Sequence, residues 1–215
     1  IIYEIIVEGG ETRLMMLFKN QKLDKIGPIR SARHYFLDYA LENDAIYVHY
    51  GQSPQAKADI KTLEISDING IYESSTSFWR DNTRYAPHNA VTSTKNIQTI
   101  IEREGFRTTS NKGNVLNYVG EEIELEDIKE TVQTNSDNTI NTVTDPVEKV
   151  TNLANSITIP YSQYNTVKYT YNKETKTYAR YSRDTLQKDW NTNKAIEVKN
   201  IIITKCANST IDSYG

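Results

Sequence analysis

The spacing of apolar residues changes character once along this 215-residue chain, and that change constrains the fold more than any other feature. Up to about residue 106, short apolar runs alternate with stripes of helical period; beyond about 156 the period is two. In the first part, residues 1–8 read as a strand, which Gly9 and Gly10 turn into a second strand over 13–19. Gly27-Pro28 then breaks the chain. Ser31 can cap a helix over 32–42, with Ala32, Tyr35, Phe36, Tyr39 and Ala40 on one stripe. An apolar strand at 45–50 is followed by Gly51 and by Ser53-Pro54, a capping hydroxyl with proline at the first helical position. That helix carries Ala56, Ile60 and Leu63. A further helix over 94–104 is capped by Thr92 or Ser93 and closed by Gly105. Strands alternating with helices imply a sheet with some parallel pairing.

Residues 107–155 read differently. They hold an acidic run at 121–127 and a Thr/Asn/Ser/Asp stretch at 131–145 with little apolar content, the composition of a linker. Past it, 156–161, 166–171 and 177–181 are strand patterns, with a hairpin turn at Asn172-Lys173-Glu174-Thr175. Residues 195–205 read as another strand, buried on both sides at Ile201, Ile202 and Ile203. The fold class expected is α+β: an N-terminal mixed α/β domain (1–106) with a mixed sheet and flanking helices, the linker (107–155), and a small, mainly antiparallel β domain (156–215).

Composition excludes several classes. No apolar run approaches the roughly 18 residues that a membrane span needs. A net charge of −3 and a pI near 5.7 argue against a nucleic-acid partner, which calls for a basic excess. A lone Cys206 allows neither an internal disulfide nor a cysteine-rich zinc site. The three histidines, His34, His49 and His88, show no ligand spacing, and no phosphate-binding glycine loop is present, so neither metal nor cofactor is expected.

The candidate site residues fall at element ends. Arg13 opens a strand, and Arg30 and Arg33 stand at a helix entrance, where cations are unfavourable against the helix dipole unless an anion is held there. The alternative is that they pair with Glu4, Glu8 or Asp38. His49, Gly51 and Ser53 form a strand-turn-helix passage resembling a nucleophile elbow, but Gln55 stands where the second glycine belongs. Ser53 is therefore either a helix cap or a nucleophile with His88 as base and Asp81 orienting it. Trp79 and Arg80, with His88 and Asn89, make a second loop-rich island suited to a carboxylate, a sugar face or a peptide.

Taken together, several of these stretches resemble the YerB-like family of bacterial lipoproteins. They are 2–13, 27–33, 44–49 together with Gly51 and Ser53-Pro54, 78–80 and 87–89. In the second half they are 169–171, 178–180 and 200–203. The resemblance implies two domains catalogued as of unknown function, a lipoprotein signal upstream, and an anchor at the outer face of the bacterial membrane. It also implies a β domain that continues past Gly215. The function expected is an extracytoplasmic, lipid-anchored binding or scaffold protein. An anion-accepting cleft lined by Arg13, Arg30, Arg33, His49, Ser53, Trp79, Arg80, His88 and Asn89 would take a cell-wall or other anionic envelope component. The alternative is a serine hydrolase acting on an envelope ester or amide through Ser53 and His88.

Overall fold

The structure is a computed structural model and describes residues 1–113, 116, 154–207 and 209. The linker expected at 107–155, with its acidic and Thr/Asn-rich runs, lies almost wholly outside the described residues. The chain forms two compact units. The first takes residues up to 117 together with 161–165 and the chain from 203; the second takes 118–160 and 166–202.

In the first unit, β1 (Ile2–Ile6) pairs antiparallel with β2 (Thr12–Met16), Tyr3 opposite Met15 and Ile5 opposite Arg13. Gly9 and Gly10 make the expected turn at φ 73° and 75°, the left-handed region that glycine enters without a Cβ penalty. The hairpin rests on α1 (His34–Glu42): the Tyr3 and Tyr39 rings lie 4.6 Å apart, and Asn43 Nδ2 donates to the Tyr3 hydroxyl. Residues 161–165 belong to the same unit. Ser162 Oγ donates to the Gly10 carbonyl at 2.8 Å and Asn165 Nδ2 to Thr12 Oγ1 at 3.3 Å.

Helix α1 starts later than expected, and Ser31 does not cap it. The Ala32 N–H donates to the Gly51 carbonyl and the Ser53 N–H to the Ala32 carbonyl, a parallel bridge that holds residue 32 extended. Ser31 Oγ instead donates to the Tyr50 carbonyl. Arg33 is left at the helix entrance, which has no side-chain cap.

Strand β3 (Tyr47–His49), helix α2 (Pro54–Thr62) and strand β4 (Asp67–Asn69) form the expected parallel pairing, with α2 as the crossover. Antiparallel β5 (Trp79–Arg80) and β6 (Ala90–Val91) make a further pair. Parallel and antiparallel pairing thus both occur, in three separate two-stranded sheets, and isolated bridges tie Ile26 to Thr92 just after β6 and Ala32 to Gln52 after β3. Helix α3 (Thr94–Glu104) is capped by Ser93, whose Oγ accepts from the Asn96 N–H, and ends at Gly105 with φ 67°. Apolar residues gather in two clusters: Ala32, Leu37, Ala56, Ile60 and Ile65 between α1 and α2, and Ile68, Phe78 and Ile100 under α3. Fully buried side chains such as Leu37 and Ile100 each contribute about 1.5–3 kcal/mol of apolar transfer. Leu63, expected within α2, sits at its C-cap, exposed.

The second unit is an antiparallel sheet of β7 (Ser156–Pro160), β8 (Thr166–Asn172), β9 (Thr177–Ser182) and β10 (Thr185–Leu186), with β11 (Glu197–Val198) also pairing with β9. The alternation read from the sequence is present: Val167 and Tyr169 are buried, Lys168 is exposed, and Tyr178 and Arg180 share the buried face. The turn over 172–176 is held by the Glu174 N–H donating to Asn172 Oδ1. The long strand expected over 195–205 is corrected. Within that span Ala195 bridges Lys188, and Glu197–Val198 pair opposite Ala179 and Tyr178. Beyond them the chain leaves the sheet, and residues from 203 group with the other unit, so Ile202 and Ile203 are 73% and 56% exposed rather than buried.

Candidate functional site

The three N-terminal arginines converge on the turn before α1. Arg33 grips Glu8 with two bonds, Nε to Oε1 at 2.5 Å and Nη2 to Oε2 at 3.0 Å. Arg13 Nη2 lies 3.5 Å from the same carboxylate, and its Nη1 donates to the Ser31 carbonyl. Arg30 Nη1 donates to the Pro87 carbonyl at 3.0 Å and lies 3.3 Å from His88 Nδ1. Among the described residues no carboxylate pairs with Arg30. Burial, then the neighbouring Arg33, lower the Arg13 guanidinium below its ordinary range, with Glu8 opposing; burial and Arg33 do the same to Arg30. Burial pushes the Glu8 carboxyl up, but the bonds and charge of Arg33, with help from Arg13, outweigh it and hold it low. Burial pushes the adjoining Tyr47 phenol up to about 12. Two guanidiniums thus share the Glu8 carboxylate in a partly desolvated place, and Arg30 beside them makes three cations to one anion. The pairing alternative raised by the sequence holds for Arg33 with Glu8; Glu4 instead accepts from Thr12 Oγ1.

His49 is a strut inside the fold. It is 1% exposed, with Nε2 2.9 Å from Asp67 Oδ2, Nδ1 2.8 Å from the Gly51 carbonyl, and its ring stacked on Tyr47. Gly51, at φ 80°, ties this knot by donating its N–H to Asn69 Oδ1.

The proposed Ser53, His88 and Asp81 relay is not assembled. Ser53 is 4% exposed, and its Oγ accepts from the Ala56 N–H at 3.2 Å, the bond of a helix cap. His88 faces Arg30. The Asp81 carboxylate accepts from the N–H and hydroxyl of Thr83 and from Lys25 Nζ, bonds that hold its carboxyl down to about 2. None of the three residues hydrogen-bonds another. Replacing Ser53 with alanine should therefore cost about 1 kcal/mol in urea unfolding, the loss of one cap. A fluorophosphonate probe should label neither the wild type nor the variant; labelling at Ser53 would restore the hydrolase reading.

Trp79, Arg80 and Asn89 hold the β5–β6 hairpin. Asn89 Oδ1 accepts from Arg80 Nη1 at 3.0 Å, and its Nδ2 donates to the carbonyls of Asp81 and Arg84. The Arg80 guanidinium lies 4.7 Å above the Tyr50 ring, and Trp79, partly exposed, stands opposite Val91.

A groove of about 420 Å³ opens elsewhere, among α2, β4 and α3. Gln52, Lys57, Lys61, Asp67, Asn69 and Glu73 supply its polar lining, and Ile60, Ile68 and Ile100 an apolar part. None of the nine residues nominated from the sequence lines it. The stretch that marks it is Ile65-Ser66-Asp67-Ile68-Asn69-Gly70, a short run with two isoleucines ended by glycine, which holds the second strand of a βαβ unit. No helix among the described residues is long and apolar enough to cross a membrane, and no cluster of three His, Cys, Asp or Glu side chains suited to a metal occurs among them.

Both halves of this architecture have known counterparts. The N-terminal domain of a protein family of unknown function, DUF3048, matches residues 1–107, and the C-terminal domain of the same family matches 157–215. The chain is 28% identical over all 215 residues to a Bacillus subtilis (strain 168) protein named "Putative lipoprotein YerB", and it spans 58% of that protein's length. The crystal structure of YerB from Bacillus subtilis matches 91% of this chain with a TM-score of 0.70 at 26% identity, and 58% of that crystallised chain is covered. With both domains present in their order and the fold shared, the chain belongs to the DUF3048 family of YerB-like proteins.

Proposed function

We propose that this chain is the ligand-binding part of an extracytoplasmic, lipid-tethered protein of the bacterial cell envelope, and that Arg13, Arg30 and Arg33 accept an anionic group there. The lipoprotein name of the Bacillus relative supports the tether and its side of the membrane. The observation that carries the anion reading is Arg30, which stands beside Arg33 without a carboxylate partner among the described residues. A carboxylate or phosphate of a cell-wall or other envelope component would complete the charge balance, and the uncapped start of α1 lies next to it.

Titration of the purified chain with cell-wall fragments and anionic glycans tests this. An Arg30→Ala variant should bind about 10- to 100-fold more weakly, the loss of one charge-assisted hydrogen bond. Arg30 is the better choice than Arg33, because Arg33 also holds Glu8 and with it the hairpin. Equal binding by wild type and variant sinks the reading.

A further inference from the structure

We infer that the groove among α2, β4 and α3 binds an uncharged saccharide chain, a second site separate from the arginine cluster. The groove lies beside the C-terminal ends of the parallel strands β3 and β4, where the loops of an α/β unit gather ligands. Its volume of about 420 Å³ falls in the usual range for small-molecule pockets, roughly 300–1,000 Å³.

The charges lining the groove select the ligand. Helix α2 contributes Lys57 and Lys61, one turn apart, and neither makes an ion pair among the described residues. Strand β4, the turn after it and α3 contribute Asp67, Glu73 and Glu104. Each of these carboxylates is held by a cationic or imidazole side chain. His49 Nε2 lies 2.9 Å from Asp67 Oδ2, Arg103 binds both oxygens of Glu73, and Arg103 Nε donates to Glu104 Oε1 at 2.7 Å. A carboxylate fixed in this way keeps lone pairs for further donors and loses little entropy on binding. An anion would meet three carboxylates here, and a cation two ammonium groups. A hydroxyl suits both, because it donates to a carboxylate and accepts from a lysine. A saccharide presents such hydroxyls in series, together with apolar ring faces.

The aromatic and amide groups agree. The Tyr72 ring lines the groove yet is 74% exposed, so it is available to the apolar face of a pyranose. Asn69 is locked, its Oδ1 accepting from the Gly51 and Ile71 N–H groups and its Nδ2 donating to Gln52 Oε1. The Gln52 carboxamide is thereby oriented, with its nitrogen left to donate to a ligand oxygen.

The test is calorimetric or NMR titration of the whole chain with chitotetraose, cellotetraose and maltotetraose at up to millimolar concentration. At least one should bind. Tyr72→Ala should weaken it roughly tenfold, the loss of one aromatic contact, with an unchanged melting temperature because the ring is exposed. Tyr72→Phe should keep the affinity, and Arg30→Ala should leave it unchanged, which separates this site from the anion site. Binding of none of the three sugars overturns the proposal. So does wild-type affinity in Tyr72→Ala, or binding of charged glycans alone that depends on Arg30.

Discussion

Replacing His49 with alanine is expected to destabilise the first unit by about 2–4 kcal/mol, the sum of a buried cavity and two lost hydrogen bonds. The ring is enclosed: Tyr47 stacks on it at 5.3 Å, Asp67 holds one nitrogen and the Gly51 carbonyl the other. Without it, the Gly51 carbonyl keeps only the Ala32 N–H, and the bridge that carries residue 32 past α2 loosens. Urea unfolding followed by tryptophan fluorescence measures the loss. Asp67→Asn should cost less, because the Asp67 side chain is 27% exposed and water can replace part of the contact. A His49→Ala protein as stable as wild type would mean that the ring is not a strut. The anion binding proposed for Arg30 should survive in the fraction that stays folded, since His49 bonds none of the arginines.

Gly70→Ala should cost about 1–3 kcal/mol by overpacking. A Cβ at this position would stand 2.4 Å from Phe78 Cδ1 and 2.7 Å from Tyr50 Cδ2, closer than real contacts allow. Neither ring can give way freely. Phe78 is 4% exposed within the cluster under α3, and Tyr50 lies beneath the Arg80 guanidinium. The strain therefore spreads to the β5–β6 hairpin, and thermal unfolding should show the loss as a lowered melting temperature. An unchanged melting temperature would show that the rings have room to move. The position needs glycine for space rather than for a left-handed backbone.

Much of the fold was legible where local chemistry decides it. Gly9-Gly10, Ser53-Pro54, Ser93 with Gly105, and the alternation from Val167 to Tyr171 each specify their element through a turn, a cap or a period. What was not legible depended on distant partners. Ser31 has the chemistry of a cap, yet Gly51 and Ser53 hold its neighbour Ala32 extended, and no local signal announces that bridge. Ile201, Ile202 and Ile203 have strand propensity, but a strand needs a partner edge, and the chain leaves the sheet before they reach one. The site divides in the same way. The convergence of Arg13, Arg30 and Arg33 follows from their places at element ends. His49, Ser53 and Asn89 were nominated for their polarity and turn out to spend it inside the fold. The groove residues Lys57, Lys61 and Tyr72 were passed over because ordinary surface residues look the same until a cavity forms beside them.

The grouping of residues 161–165 with the N-terminal unit bears on inheritance. The family divides this chain into two domains with a boundary between 107 and 157, yet Ser162 and Asn165 bond Gly10 and Thr12. A Cβ at position 10 would stand 2.6 Å from Ser162 Oγ. Recombination that exchanged the C-terminal domain between distant relatives would have to bring a matching 161–165 segment with it. The two domains are therefore under pressure to travel as a pair, and drift at the first turn of one constrains a loop counted with the other.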